Sequence, residues 1–262
     1  MPDGAAGPAR TVRTEPVMGT VVTIDVREPA VPAEAVEAAV AWFHEVDRTF
    51  STYSAESDIS RLDRGELSVG ECSSEVREVL GLCAEVERRS GGHFDIRYRD
   101  RLDPSGLVKG WSVERAAEML QAAGARNFFV GAGGDVVTRG RPAPGQRWRV
   151  GVRHPMLAGQ VATVLETGDL AVATSGTYER GEHIVDPRTG RAPEGLLSVT
   201  VAGPSLTYAD AFATAAYVMG EEGLRWVAGI PRYEALGITA DQRTLWTVGM
   251  GPLLAGCEAD TR

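Results

Sequence analysis

The chain has 262 residues, of which 43% are hydrophobic and 24% charged, and its formal net charge is −9 at pH 7. This composition is typical of a globular protein and excludes disordered and collagen-like chains. The acidic balance argues against nucleic-acid binding, because neutralising phosphates requires clustered Lys and Arg, and no such cluster is present. The three cysteines form no CxxC pair, so neither a disulfide framework nor a thiolate metal cluster is predicted.

The N-terminal segment predicts the domain boundary and the location of the protein. Residues 1–15 are polar and rich in Pro and Gly, which predicts a flexible tail before a single domain over residues 16–262. This segment has no apolar signal-peptide core, and no uncharged apolar run reaches the about eighteen residues of a membrane span. We therefore expect a cytoplasmic protein without membrane insertion.

The first half of the chain predicts two amphipathic helices after an N-terminal strand. The alternation in VVTIDV predicts the strand, and one apolar face over residues 32–50 predicts the first helix. Residues 51–60 form a hydroxyl-rich loop that carries Tyr53, a residue that could also serve only in packing. The second helix begins near Ser73 or Ser74 and stops at a Gly pair, directly before His93-Phe94-Asp95.

The segment 103–110, DPSGLVKG, contains the only lysine of the chain, Lys109, among 27 basic residues. We predict a loop here, followed by a short helix that begins near Ser112. A lysine just before a helix N-terminus is typical of an anion-binding loop, because free N–H groups and the helix dipole both favour phosphate. The segment lacks the spacing of a Walker A loop.

Short strands with turn signals between them dominate the second half of the chain. The run Gly131-Ala-Gly-Gly-Asp135 continues into a strand, whereas a dinucleotide-binding fingerprint must open a helix, so a Rossmann fold is rejected. The remaining strands favour a mostly antiparallel sheet with flanking helices, which is an α+β fold.

The stretch from 171 to 190, AVATSGTYERGEHIVDPRTG, concentrates polar chemistry between a short strand and a tight turn. Ser175, Gly176 and Thr177 form a candidate ligand-binding loop, and His183 follows within seven residues. The alternatives are a surface loop whose hydroxyls satisfy their own backbone, and a core histidine that is hydrogen-bonded to a carbonyl.

Two oxygen-bearing residues, Asp210 and Thr214, lie four apart in the predicted helix over residues 207–219. This spacing puts both on one helical face, where they could hold one hard cation. Thr207 and Asp210 also have the spacing of a capping box, and the two interpretations are compatible.

A series of short motifs, taken in order, resembles the FAD:protein FMN transferases, the ApbE-type flavin transferases, over roughly residues 17–250. The motifs are Met18-Gly-Thr20, Tyr53, Phe94-Asp95, Asp103 with Gly106 and Lys109-Gly110, Gly133-Gly-Asp135, Ala173-Thr-Ser-Gly176, HIVDPRTG over 183–190, and ADAFAT over 209–214. The resemblance implies a fold related to the tunnelling fold. It also implies bound FAD as substrate, Mg2+, and transfer of FMN to a Thr or Ser in a flavinylation motif of an acceptor flavoprotein, with release of AMP.

The resemblance also implies roles for individual residues. His183 falls where the family keeps its catalytic base. A second set falls where the family holds FAD: Met18, Tyr53, Phe94, Asp95, Asp103, Lys109 and Ile184. The neighbouring His93, Ser175, Gly176 and Thr177 are added to that set from the motifs above. The metal ligands are expected to be the Gly106 carbonyl, Asp210 and Thr214.

Three positions depart from the family pattern: the segment from Asp95 to Asp103 is short, Gly131 replaces an Asn, and Asp63 replaces an Asn. The short segment could remove one wall of the flavin pocket. Two other functions therefore stay open, a Mg2+-dependent FAD pyrophosphatase that uses water as acceptor, and a non-catalytic FAD-binding module.

Overall fold

The structure is a computed structural model that describes residues 10–28, 31–98, 101–176 and 184–256. The α-helices in these ranges are α1 (Ala33–Phe50), α2 (Asp58–Asp63), α3 (Ser74–Ser90), α4 (Ser105–Ala122), α5 (Leu206–Met219) and α6 (Glu221–Ala228). The strands are β1 (Thr11–Val17), β2 (Thr20–Val26), β3 (Arg97–Tyr98), β4 (Arg101–Leu102), β5 (Phe128–Ala132), β6 (Asp135–Arg139), β7 (Trp148–Arg153), β8 (Val161–Thr167), β9 (Leu170–Gly176), β10 (Leu196–Gly203), β11 (Glu234–Thr239) and β12 (Thr244–Trp246). Two 3-10 helices cover Val69–Glu71 and Val248–Leu253.

An eight-stranded sheet with the order β1-β2-β5-β6-β9-β10-β11-β12 forms the centre of the molecule, and each neighbouring pair is antiparallel. The strands β3 and β4 form a separate hairpin, as do β7 and β8. The β1–β2 turn places Met18 at φ 56° and Gly19 at φ 66°, as two-residue hairpin turns require. The predicted α+β fold with mostly antiparallel sheet is confirmed.

The two faces of the sheet bury different layers, as β9 illustrates. Ala171 and Ala173 belong to the main core, which includes the buried faces of α1, α4 and α5. Val172 points to the other face, where it packs in a smaller cluster with Leu165 of the β7–β8 hairpin and with Met250. This alternation follows from the two-residue period of a strand. The helices are thereby held against one face of the sheet, close to the ends of β5, β6 and β9.

The predicted helices α1 and α3 are confirmed almost to the residue. The buried face of α1 consists of the six apolar residues that the periodicity selects: Val36, Ala39, Val40, Phe43, Val46 and Phe50. The N-cap of α3 is Ser73, whose Oγ accepts the Val76 N–H at 3.2 Å, and the helix ends at Gly91 with φ 61°. No helix in the described part of the chain is both long and apolar enough to cross a membrane.

Three boundaries differ from the prediction. The strand β1 begins at Thr11, inside the expected tail, because it lies at the sheet edge, where Pro16 is tolerated. The helix α2 begins at Asp58, inside the expected loop, with Ser57 as its N-cap. The helix α4 begins at Ser105, so the segment around Lys109 is helical and not a loop.

The early start of α4 has a tertiary cause. Gly106 and Gly110 lower the intrinsic helix propensity of this segment, which masked the helix in the sequence. Leu107, Val108 and Trp111 are buried in the core, and this burial stabilises the first two turns. Lys109 therefore projects from inside a helix, and the predicted position just before the helix N-terminus is wrong.

Cys83 predicts how stability depends on alkaline pH. Burial raises the pKa of its thiol to about 12, and the side chain is 1% exposed. An unfolded thiol ionises near pH 8.5 to 9, so the thiol of Cys83 does not change the free energy of unfolding below this pH. As the pH rises from there towards 12, only the unfolded state loses the proton, and the free energy of unfolding falls by about 4 kcal/mol at most. The C83A variant should show a shallower decline of the urea midpoint between pH 9 and 11 than the wild type. An identical decline in both proteins would contradict this expectation.

Candidate active site

A polar cleft opens where the end of β9 meets the beginnings of α4 and α5, and the β1–β2 turn lines a pocket beside it. The volume of the cleft is about 590 Å³, and the adjoining pocket of about 340 Å³ shares the wall formed by Tyr53, Asp103 and Lys109. The predicted site residues in the described ranges all line one or both: Met18, Tyr53, His93, Phe94, Asp95, Asp103, Gly106, Lys109, Ser175, Gly176, Ile184, Asp210 and Thr214. Thr177 and His183 lie outside the described residues.

Lys109 reaches the floor of the cleft from the second turn of α4. Its Nζ lies 2.9 Å from Asp135 Oδ2 and 3.6 Å from Asp210 Oδ1, and its side chain is 15% exposed. Asp135 is almost completely buried, and its Oδ1 accepts the Thr174 N–H at 3.1 Å. The ammonium is thus held between two carboxylates, a position that suits a compact charge better than a guanidinium.

The helices α4 and α5 approach each other most closely at Gly110. A Cβ at this residue would lie 2.5 Å from the Leu206 carbonyl oxygen and 2.8 Å from Asp210 Cβ, so only glycine fits. This approach lets the Gly110 N–H donate to Asp210 Oδ2 at 2.9 Å. In a regular helix the Gly110 N–H donates to the Gly106 carbonyl. Here the Gly106 carbonyl either shares this N–H with Asp210 or lacks it as a donor.

Three oxygen donors converge beside this crossing. Asp210 and Thr214 lie one turn apart on α5, and Thr214 Oγ1 is 3.2 Å from Ser175 Oγ at the end of β9. Gly106 packs next to them, since a Cβ there would lie 3.8 Å from Thr214 Oγ1. A carboxylate, a hydroxyl and a backbone carbonyl are hard donors of the kind that Mg2+ prefers. The predicted ligand set fits the ion chemically.

This set is poor in charge, which limits how it could bind a metal. Among the described residues, no cluster of three or more His, Cys, Asp or Glu suited to a metal is present. The set contains Asp210 as its single carboxylate. Mg2+ is commonly bound by one or two carboxylates together with water and substrate phosphates, so a phosphate-bearing ligand would have to complete the coordination.

The capping box predicted for Thr207 and Asp210 is wrong. The N-cap of α5 is Ser205, and the carboxylate of Asp210 points to α4 instead of to its own helix N-terminus. Thr207 donates through both its N–H and its hydroxyl to Glu114 of α4. The interaction that engages Asp210 spans 100 residues of sequence and could not be recognised from local spacing.

A rigid turn closes another side of the cleft at Asp186. The Arg188 guanidinium and the Arg188 N–H donate to the Asp186 carboxylate, and these hydrogen bonds lower the pKa of Asp186. The Gly190 N–H donates to the Asp186 carbonyl at 2.8 Å, and Gly190 has φ 69°. The tight turn predicted for residues 186–190 is confirmed.

The short segment after Asp95 still supplies a wall. Its two strands, β3 and β4, form a hairpin, and Arg97, Arg101 and Leu102 line the cleft. The hairpin is attached through Asp63 Oδ1, which accepts the Leu102 N–H at 2.9 Å, so this Asp in place of the family's Asn has a structural partner.

Four residues in or beside the cleft were not predicted as site residues: Arg97, Arg101 and Asp186 line it, and Asp135 pairs with Lys109. Asp135 follows the Gly133–Gly134 turn directly, and a carboxylate next to a tight turn could have been taken as a signal. The two arginines carry no signal, because arginine is spread along the whole chain.

Lys109 leads to a prediction for ligand binding. For the FAD that the family resemblance implies as ligand, K109R should weaken binding by about tenfold, because the larger guanidinium cannot occupy the gap between Asp135 and Asp210 without displacing one of them. Titration of FAD fluorescence measures the affinity, and K109Q, which removes the charge, is the comparison. Equal FAD affinity of K109R and wild type would indicate that charge alone matters at this position.

Sequence and structure comparisons identify related proteins. The model of the ApbE family matches residues 18–100 and 98–236. A FAD:protein FMN transferase from Vibrio cholerae is 39% identical over 131 residues, which cover 46% of this chain and 39% of that protein. The Treponema pallidum FAD:protein FMN transferase is 34% identical over 169 residues, which cover 57% of this chain and 47% of that protein. The match thus spans less than half the length of these curated relatives.

Solved structures show the same fold. The flavin transferase ApbE from Vibrio cholerae aligns with a TM-score of 0.82 at 24% identity, covering 94% of this chain and 99% of that chain. The ApbE protein from Thermotoga maritima gives a TM-score of 0.82 at 23% identity, covering 92% and 98%. The family model matches most of this chain, and the predicted site residues in the described ranges line one cleft and its adjoining pocket, so the chain belongs to the ApbE family.

Proposed function

We propose that this protein transfers FMN from FAD to a Ser or Thr hydroxyl of an acceptor protein, with Mg2+ and with release of AMP. The observation that carries the proposal is the convergence of Lys109, Asp210 and Thr214 in one cleft, where α4 crosses α5. The names of the FAD:protein FMN transferases that resemble the chain support it.

The charge of the cleft supports a requirement for a divalent cation. The described lining carries four carboxylates and three cationic side chains: Asp95, Asp103, Asp186 and Asp210, and Arg97, Arg101 and Lys109. A pyrophosphate diester carries two negative charges and would enter a lining that is already acidic. When bound at Gly106, Asp210 and Thr214, Mg2+ would neutralise charge on the non-bridging oxygens of this pyrophosphate.

The proposed reaction exchanges one P–O bond for another. The acceptor hydroxyl attacks the phosphorus of the FMN half, and the bond from this phosphorus to the bridging oxygen breaks. The bridging oxygen leaves with AMP, and the hydroxyl proton must pass to a base. Lys109 would stabilise the charge of the phosphates, while Asp135 holds its ammonium in place.

His183 is the proposed base, on the strength of the family resemblance, and a histidine with a pKa near 6.5 can accept a proton close to neutrality. H183A should lower the rate of FMN transfer by about 10² to 10⁴-fold and leave the FAD affinity nearly unchanged, since a base acts in the transition state. Tm, FAD affinity and transfer rate should be measured on one preparation. Loss of fold and affinity in step with the rate would indicate a structural histidine, and an unchanged rate would exclude both roles.

Incubation of the purified protein with FAD and Mg2+, with and without an apo-flavoprotein that bears a Thr/Ser flavinylation motif, tests the function. The proposal predicts acceptor that stays fluorescent in a denaturing gel, together with one AMP per flavin transferred. FMN and AMP formed without acceptor would indicate a pyrophosphatase. Intact FAD that stays bound would indicate a binding module. Either result would contradict the transferase proposal.

A further inference from the structure

We propose that Glu114 is a positioning residue for the Mg2+ site, which it serves by fixing how α5 lies along α4. The proposal rests on the proposed function, because it concerns the same metal ligands. Glu114 does not line the cleft. Glu114 lies on α4, one turn after Gly110, and its carboxylate contacts the N-terminus of α5.

Three donors from the start of α5 converge on one oxygen of this carboxylate. Glu114 Oε2 accepts the Ser205 hydroxyl at 2.6 Å, the Thr207 N–H at 3.0 Å and the Thr207 hydroxyl. Hydrogen bonds to a charged acceptor are about twice as strong as neutral ones, and a negative charge at a helix N-terminus is further favoured by the helix dipole. The negative charge of Glu114 also contributes, after burial, to raising the pKa of the neighbouring Tyr233 to about 12.

The apolar part of the contact between α4 and α5 does little to fix the position of one helix along the axis of the other. The helix α5 is rich in alanine and almost entirely buried, and at Gly110 the backbones touch with no side chain between them. Small apolar surfaces of this kind can slide without losing specific partners. Directional polar interactions therefore have to set the register, and in the described part of this contact they include the hydrogen bonds of Glu114 and Gly110 and the Lys109–Asp210 ion pair.

The metal ligands lie on both helices, so this register decides their geometry. Gly106 belongs to α4, whereas Asp210 and Thr214 belong to α5. A helix is stiff over two turns, so a shift at Ser205 moves both α5 ligands relative to the Gly106 carbonyl. Mg2+ demands nearly ideal octahedral geometry, and it should respond to such a shift more strongly than the stability of the fold does.

The chain contains a matched control in Glu234. Its Oε2 accepts the hydroxyl of Thr247, the N-cap of the 3-10 helix Val248–Leu253, and the Gly249 N–H at 3.0 Å. Glu234 and Glu114 are both partly buried carboxylates from a neighbouring element that bind an N-cap hydroxyl and the N–H two residues later. Glu234 does not line the cleft. E234Q therefore removes a charged hydrogen-bond acceptor at a helix N-cap, as E114Q does, but at a helix that carries none of the proposed metal ligands.

The test measures Mg2+ binding by calorimetry in the presence of saturating FAD, the Tm, and the Mg2+ dependence of FMN transfer in E114Q, E234Q and wild type. Both variants should have a lower Tm than the wild type. E114Q should bind Mg2+ about tenfold more weakly, as is usual when a group that orients a metal ligand is changed, and saturating Mg2+ should restore its transfer rate. E234Q should keep the Mg2+ affinity of the wild type.

Several results would overturn the inference: equal Mg2+ affinity in E114Q and wild type, the same weakening in E234Q, or no Mg2+ binding by the wild type. If E114Q does not fold, T207V removes one of the three donors and keeps the Thr207 N–H bond. It should weaken Mg2+ binding by a smaller factor, and an unchanged affinity would contradict the proposal. Wild type that binds Mg2+ but transfers no FMN would refute the proposed function alone, because the comparison of Mg2+ affinities would still stand.

Discussion

Replacing Asp210 with asparagine should lower the rate of FMN transfer by at least about 10²-fold while the protein remains folded. The carboxylate is the only charged member of the proposed ligand set Gly106, Asp210 and Thr214, and a bound cation contributes several kcal/mol to charge stabilisation in reactions of this kind. The fold should survive, because an asparagine oxygen can still accept the Gly110 N–H that Asp210 Oδ2 accepts at 2.9 Å. Transfer rates over a range of Mg2+ concentrations, together with circular dichroism, measure both effects.

Asp25 is the matched control for this substitution. Its carboxylate is also buried, but it is paired with Arg10 and Arg27 and lies outside the cleft. D25N should lower the free energy of unfolding by about 1 to 3 kcal/mol through the lost charged hydrogen bonds, with no change in the transfer rate. Normal transfer by D210N at low Mg2+ would remove Asp210 from the metal site.

The G110A substitution should destabilise the protein by about 1 to 3 kcal/mol, against the direction that helix propensity predicts. Alanine is favoured over glycine inside a helix by roughly 0.5 to 1 kcal/mol. At Gly110, however, the new Cβ would lie 2.5 Å from the Leu206 carbonyl oxygen, a distance that forces α4 and α5 apart. Separating the helices also stretches the Gly110–Asp210 hydrogen bond, so transfer should fall together with stability.

Gly81, in the middle of α3, shows the opposite case. No atom lies within 4 Å of a Cβ added there, and its φ is not in the left-handed region. G81A should therefore stabilise the protein by roughly 0.5 to 1 kcal/mol in urea unfolding, purely through helix propensity. If G110A were as stable as wild type, the close crossing of α4 and α5 would be wrong.

The local pattern of the sequence was sufficient for much of the fold. The helices α1 and α3 were predicted closely, because an apolar stripe with a period of 3.6 residues, a Ser cap and a terminal Gly are all local signals. Most strands of the central sheet were predicted with errors of a few residues, and the tight turns between them indicated the antiparallel sheet. The elements β1, α2, β3 and β4 were not predicted. The start of helix α4 was also missed, since two glycines conceal a helix that core burial stabilises.

The candidate site was predicted as a set of residues but not as an arrangement. The order of short motifs identified the family, and the predicted site residues in the described ranges line one cleft and its adjoining pocket. The roles that the family resemblance assigns to them remain predictions. The partner of Lys109, Asp135, was missed as a site residue, because the pair joins α4 to the start of β6.

The sequence by itself thus determined the elements, the α+β class and the family, since each depends on residues that are close along the chain or on motifs in a fixed order. Only the tertiary structure decided that Lys109 lies between two carboxylates, that Asp210 binds the backbone of α4, and that Glu114 holds the start of α5. The physical reason is that these interactions depend on how α4 packs against α5 and against the start of β6, which brings together residues that are far apart along the chain. No local periodicity or propensity encodes such a distance.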